Sequence, residues 1–448
     1  MKIENVELSR VTSNGLGDSS PIRVLLPPDK SIFHRILFLA ALSNKTVRIP
    51  IGDIIAGDVR STINALKALG VSIQENPTEL IIKGAGRGGF RKPGKPIDCG
   101  NSGTTARLLM GILSGQSFDS TLIGDESLSK RPMKRLASLL ERSFRAAIST
   151  SENGTLPVHI NGKRLHSGNI DLPIASAQVK TAALLAAYCA DIQTAVTEPY
   201  PSRDHTEILL QAFGIDLKIE SNSIFLRTGR ELHLPTEFQI PDDVSAAAFF
   251  VAAGVIGKVD VRIPNASLNP SRTAYLDILN DSGVPIWFEE VASKNGERVG
   301  TIVVNGSSIR SIKPFQLSGS IIPNVQDEIP ALAVIALFAD GFSNISGASE
   351  LRKKESDRLE ALAENIRSAG GTIEESEDGL LITGSKEFKP SPTIVTHHND
   401  HRIAMAMSIL GLTGSAVTIP DASVVSISFP SFFSELQKFP RANTIILQ

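Results

Sequence analysis

The sequence predicts an α/β fold made of one supersecondary unit repeated six times, with its most apolar helices on the inside. Three observations carry this. Six small-residue apolar stretches of helical length each begin with a polar or charged cluster: Asp29-Lys30-Ser31, Asn101-Ser102-Gly103-Thr104, Ser176-Ala177-Gln178, Asp242-Asp243, Asp327-Glu328 and Asp400-His401-Arg402. They recur about every 75 residues, the mark of an internally duplicated architecture. Between them lie amphipathic helical segments, most of them ending in glycine, each followed by two short strands and a turn.

The leading segment, Glu4–Leu26, is strand-like without a local partner, so it is free to complete a sheet of the C-terminal units and make a discontinuous domain. The apolar runs, such as Val244–Val255 and Ile403–Leu412, are apolar nearly all round and read as buried helices. Their N-termini expose free N–H groups and positive dipole, which suits phosphate and carboxylate. The amphipathic segments are Asp58–Gly70, Arg131–Arg145, Asp204–Gly214, Ser271–Gly283 and Ser356–Gly370. Where glycine closes them it reads as the helix C′ residue; Arg131–Arg145 lacks it. Strand pairs follow at Val71–Gln74 with Leu80–Lys83, Ile215–Ile219 with Ile224–Arg227, and Thr372–Glu375 with Leu380–Thr383. Such units must stack to bury their apolar faces, as one ring of six or two groups of three. Gly84–Pro96 reads as a surface loop. It contains G-x-G-x-x-G, but it runs into Pro93 and Pro96 instead of a helix and so fails as a dinucleotide site.

A chain of 448 residues divides into two or three domains. A formal net charge of −2 offers no global field for nucleic acid or an anionic membrane. Two cysteines, Cys99 and Cys189, imply no disulfide framework and suit a reducing cytoplasm. No apolar run reaches the roughly 18–20 residues of a membrane span, and Met1–Arg10 lacks the form of a signal peptide.

Candidate chemistry lies in basic residues: Lys30 and Arg35 flank the first apolar helix, Arg107 and Arg131 surround the second, Arg203 sits in Ser202-Arg203-Asp204-His205, Arg352, Lys353, Lys354 and Arg358 precede or open another helix, and Arg402 opens the last. Any one of them could simply decorate a helix end. Together they outnumber the nearby carboxylates, and buried cations need anionic partners, which favours a multiply charged ligand. Asp327, Glu328 and Glu355 are the carboxylates placed for proton chemistry; Asp327 as a plain N-cap and Glu355 as a surface ion pair are the bland alternatives. His397, His398 and His401 have ligand-like spacing, but no second cluster supports a metal.

The strings DKSIFHR (29–35), GNSGTTARL (100–108), GDESLSKRPMKR (124–135), ASAQVK (175–180), PSRDHTE (201–207), DEIPALA (327–333), ELRKKESDR (350–358), NDHRIAM (399–405) and SFPSFF (428–433) stand in an order and spacing that resemble the EPSP synthase family of enolpyruvyltransferases. The resemblance implies an inside-out α/β prism of two domains, each of three βαβαββ units with buried parallel helices. One domain would take residues 1–28 plus 243–448 and the other 29–242, with the active site in the cleft between them. It implies transfer of the enolpyruvyl group of phosphoenolpyruvate to the 5-hydroxyl of shikimate 3-phosphate in aromatic amino-acid biosynthesis. It implies no cofactor or metal, no nucleic-acid or membrane partner, a monomer, and inhibition by glyphosate, with Gly103 leaving room beside the donor.

By resemblance, Lys30, Ser31, Arg35, Ser176, Gln178, Arg203, Asp327 and Lys354 would hold shikimate 3-phosphate. Lys30, Gly103, Arg131, Gln178, Arg358 and Arg402 would surround phosphoenolpyruvate. Asp327, Glu355 and Lys30 would move protons. Departures from the family pattern are Pro28 for glycine, Phe33 for a small residue, Ala177 and Ile427 in place of one branch's serine and lysine, and the absence of a turn glycine at Ser143-Phe144-Arg145. The related UDP-N-acetylglucosamine enolpyruvyltransferases usually carry a cysteine where this chain has Glu126. RNA 3′-phosphate cyclases share related repeats, but no basic stripe supports that reading. Retention of Lys30, Asp327 and Glu355 argues against a catalytically dead homologue.

Overall fold

A computed structural model describes residues 20–51 and 55–448. The 4–19 part of the leading segment lies outside the described residues. The first half carries helices α1 (Lys30–Leu42), α2 (Gly57–Ala68), α3 (Gly103–Ser114), α4 (Lys134–Phe144), α5 (Ala177–Ala190) and α6 (His205–Ala212). The second carries α7 (Val244–Gly257), α8 (Pro270–Asp281), α9 (Ile322–Val325), α10 (Ile329–Ala336), α11 (Arg358–Ser368), α12 (His401–Ser408) and α13 (Phe432–Leu436). None is long and apolar enough to cross a membrane.

The predicted apolar helices are α1, α3, α5, α7, α10 and α12, and each is buried along nearly its whole length. Four have side-chain caps: Asp29 accepts from Ile32 N–H, Ser102 from Thr105, Asp243 from Ser245 and Asp400 from Arg402. No side chain caps α5 or α10. Asp327 is therefore not the cap that its position allowed.

One unit shows why the helices alternate. Ile97–Asp98 runs parallel to Ser120–Ile123, and a parallel pair needs a crossover, here the buried α3. The amphipathic α4 then returns the chain to Ala147–Ser149, which forms a hairpin with Val158–Asn161; the latter is antiparallel to Ser120–Ile123. The sheets around Thr194–Thr197 and Gly341–Ile345 repeat this order. Two units borrow a strand. Ile22–Arg23 pairs parallel with Asp260–Ser267, so the leading segment does complete a C-terminal sheet. Arg48 in turn is bridged in parallel by Glu237. The last sheet departs from the pattern, with Thr393–Ile394, Val417–Ile419 and Ile445–Leu447 all parallel.

Two separate apolar cores result, one drawn from residues 32–240 and one from 24–26 with 244–439. Phe33 fills the first of them at 3 % exposure. The chain crosses between the cores where Pro28 bridges Asp242. There Asp29 N–H donates to the Pro241 carbonyl and Asp243 N–H to the Pro27 carbonyl, so Pro28 sits where its missing N–H costs no bond. Gly70, Gly214, Gly283 and Gly370 all have φ between 81° and 96°, as expected of C′ glycines. Arg145 takes the left-handed conformation (φ 56°) where glycine is absent, so α4 still terminates there. That helix begins at Lys134, three residues later than predicted, because Arg131 precedes Pro132 and is extended.

Candidate active site

A cavity of about 210 Å³ lies between the two cores, bounded by the N-terminal ends of α1, α3, α5, α7 and α11 and by the Ser349–Lys353 turn. Among the described residues its lining holds ten Lys and Arg side chains against five carboxylates. That surplus makes the cavity a receptor for ligands with several negative charges.

From the first half come Lys30, Ser31, Gly103, Arg131, Ser176, Gln178 and Arg203; from the second, Asp327, Lys354, Glu355, Arg358 and Arg402. Thirteen residues were predicted for the site, and Arg35 alone does not reach the lining. It is buried behind Ser31, donating from Nη1 to the Ser31 carbonyl (2.8 Å), from Nε to Thr206 (2.7 Å) and from Nη2 to Thr181 (3.0 Å). Burial pushes its guanidinium down to about 10, so it remains charged without a carboxylate hydrogen-bonded to it.

Asp327 is the electrostatic centre. Its carboxylate lies 2.7 Å from Arg203, 3.3 Å from Arg358, 3.8 Å from Lys354 and 3.9 Å from Arg402, while its carbonyl accepts from Arg402 at 2.8 Å. Burial alone would raise this carboxyl. Arg402, Arg203, Lys354 and Arg358 override that and hold it well below the usual carboxylate range. Glu355 behaves alike: burial opposes ionisation, but Arg358 (2.6 Å) and Arg131 (3.6 Å) keep it well below normal. Burial pushes the Lys354 ammonium down against the pull of Asp327. Arg358, 1 % exposed, is itself held by Asp400 at 2.7 Å. Neighbouring Glu328 is raised by its complete burial and joins Ser245 by a short hydrogen bond.

Ion pairs among the described residues span the cleft, Arg203–Asp327, Arg131–Glu355 and Arg135–Glu350 (3.8 Å) among them. The Arg203–Asp327 contact is short but not aligned as a hydrogen bond. Among the described residues, the buried Arg203 Nε and Nη2 and Arg131 Nε have no hydrogen-bond partner. Buried donors rarely stay unpaired, so these are positioned for a ligand's oxygens.

Sequence reasoning counted Arg107 among the candidate cations without giving it a substrate, and its Nη1 donates to Gln178 Oε1 at 2.6 Å; it missed Asp58, which pairs with Lys30 at 2.9 Å. It also missed Ser202, Arg135, Glu350 and Arg272 on the lining. Arg107 lies one helical turn beyond Gly103. Asp58 and Arg272 arrive from helices whose local sequence announces only a surface. The three histidines disperse: His397 Nε2 donates to the Pro420 carbonyl, His398 pairs with Glu364, and His401 is buried beside Asp400. Burial holds His401 down to about 3 and His34, on the lining, down to about 4, so both are neutral imidazoles.

The family model of EPSP synthase (3-phosphoshikimate 1-carboxyvinyltransferase) matches residues 21–436. The 3-phosphoshikimate 1-carboxyvinyltransferase of Limosilactobacillus fermentum is 40 % identical over 432 residues, 96 % of this chain and 98 % of the relative. That of Geobacillus kaustophilus is 39 % identical over 417 residues, 92 % and 96 % of the two chains. A solved EPSP synthase structure from Acinetobacter baumannii superposes with a TM-score of 0.80 at 38 % identity, covering 94 % of this chain and 95 % of its own.

Proposed function

The chain belongs to the EPSP synthase family and catalyses the enolpyruvyl transfer of the shikimate pathway, and we propose how its residues divide that work. The observation that carries the assignment is the cleft's surplus of cations, with unpaired buried donors on Arg203 and Arg131. Shikimate 3-phosphate and phosphoenolpyruvate each bring a carboxylate and a phosphate, the opposite surplus.

Shikimate 3-phosphate is held by Lys30, Ser31, Ser176, Gln178, Arg203, Asp327 and Lys354, with Arg35 acting from behind through Ser31. Phosphoenolpyruvate lies among Lys30, Gly103, Arg131, Gln178, Arg358 and Arg402. The 5-hydroxyl oxygen bonds to C2 of the enolpyruvyl group while Asp327 takes its proton. C3 gains a proton from Glu355 or Lys30, giving a tetrahedral ketal phosphate. C3 then returns a proton to the group that gave it, the C2=C3 double bond re-forms, and the C2–O bond to phosphate breaks, releasing phosphate. Asp327 is ionised in the free cleft and ready to act as base. Glu355 must first acquire a proton, which substrate anions favour by neutralising the cations that hold it down. Lys30 already carries one as an ammonium beside Asp58. Preorganised guanidinium groups stabilise the departing phosphate, and closure of the cleft excludes water from a cationic transition state.

The two cores and the paired crossing at Pro28 and Asp242 support a division into residues 1–28 plus 243–448 and residues 29–242. A cytoplasmic monomer is the accompanying proposal, checked by sedimentation velocity and cell fractionation. Phosphate release is the direct test of function. With phosphoenolpyruvate present, shikimate 3-phosphate should support turnover and UDP-N-acetylglucosamine should not; the reverse result would overturn the assignment.

A further inference from the structure

The two strands that cross between the cores each end in a carboxylate that caps a buried helix, Asp29 for α1 and Asp243 for α7. Arg272, the third residue of α8, reaches both. Its Nη1 donates to Asp29 Oδ2 (3.1 Å) and to His205 Nε2 (3.1 Å), and its Nη2 to Asp243 Oδ1 (3.2 Å) and Ser245 Oγ (2.5 Å). It is 1 % exposed. Glu297 sets the histidine's role: His205 Nδ1 lies 2.7 Å from Glu297 Oε1, so Nδ1 carries the proton and Nε2 accepts from Arg272. Asp29 and His205 belong to the first half, and Asp243, Ser245 and Glu297 to the second. One guanidinium therefore ties the starts of two buried helices across the junction.

We propose that Arg272 is a positioning residue that sets the angle between the two halves, and with it the distance from Lys30 to Asp327 and Glu355. The planar fork is what the place requires, since four acceptors in two directions suit a guanidinium and not the single charge of an ammonium. Without it Asp29 and Asp243 are left buried beside each other with no cation between them, and two like charges move apart or admit water. Both carboxylates begin helices, so their separation tilts α1, which starts with Lys30, against the second half. The inference rests on the roles assigned above to Lys30, Asp327 and Glu355.

The test uses the full-length chain with one fluorophore at an exposed site in each half, as wild type, Arg272→Met and Arg272→Lys. Steady-state phosphate release and the inter-half distance at saturating substrates are both read. Arg272→Met should lower kcat about 100-fold, the cost of an ångström-scale misplacement, and lengthen the saturated-state distance. Arg272→Lys, keeping one of the two directions, should recover about tenfold of that loss and part of the distance. Wild-type kcat in Arg272→Met, or lost kcat at an unchanged distance, would overturn the proposal. If Arg272→Met fails to fold by circular dichroism, Arg272→Lys is judged by the same two readings. A wild-type chain that releases no phosphate would instead count against the functional assignment, and the distances would still decide the role of Arg272.

Discussion

Asp327→Asn removes the charge and basicity of one carboxylate while keeping its shape. That carboxylate is 17 % exposed and faces Arg203 at 2.7 Å, Arg358 at 3.3 Å, Lys354 at 3.8 Å and Arg402 at 3.9 Å. Two consequences separate cleanly. For binding, the cations lose an internal partner and are freer to meet an anionic ligand, while any hydrogen bond from substrate to the carboxylate weakens. These effects oppose, so the Kd for shikimate 3-phosphate should stay within about tenfold, ~1.4 kcal/mol. For turnover there is no such offset. A positioned general base contributes about 10²–10⁴-fold, so the barrier should rise by ~3–5 kcal/mol. Phosphate release gives kcat, calorimetric titration gives Kd, and a thermal melt checks the fold. A kcat within about threefold of wild type, far short of a base's contribution, would refute Asp327 as the base. A fall in affinity as large as the fall in kcat would refute it too, making Asp327 a binding group.

Two further outcomes follow from single side chains. His34 is held neutral, down to about 4 from an ordinary value of 6.5, so the stability it contributes is complete above 6.5 and is lost as pH falls towards 4. By pH 5 about 2 kcal/mol should be gone; in urea titrations across this range His34→Gln should show a shallower slope, and parallel slopes would sink the idea. At Gly103 an added Cβ would meet Arg107 Nη1 at 2.8 Å and Arg131 Nη1 at 3.5 Å, the ends of flexible side chains. Gly103→Ala should therefore fold, yet crowd the donor pocket and raise the inhibitory concentration of glyphosate by about tenfold or more, ~1.4 kcal/mol; inhibition equal to wild type would remove Gly103 from that pocket.

Much of the fold was legible because its signals are local. Apolar runs such as Val244–Val255 mark buried helices whatever their neighbours do, and the C′ glycines state the sign of φ that ends the amphipathic ones. Arg145 shows the limit: the helix ends where the pattern requires, but there an exposed non-glycine residue takes the left-handed region, its N–H donating to the Leu140 carbonyl. The last sheet shows another, since nothing in its short strands announces that all three run parallel.

The site divides along the same line. The sequence by itself determined the family and, with it, twelve of the residues that line the cleft, because helix-end motifs carry residue type and spacing together. Only the tertiary structure decided which charges face one another. Asp58 meets Lys30 from another helix, Arg272 joins Asp29 across 243 residues, and Arg35 is withdrawn behind Ser31 by Thr181 and Thr206. The physical reason is that a charge's state depends on burial and on partners within a few ångströms. In this chain those partners are brought together by the stacking of six units and by two strands crossing between two cores.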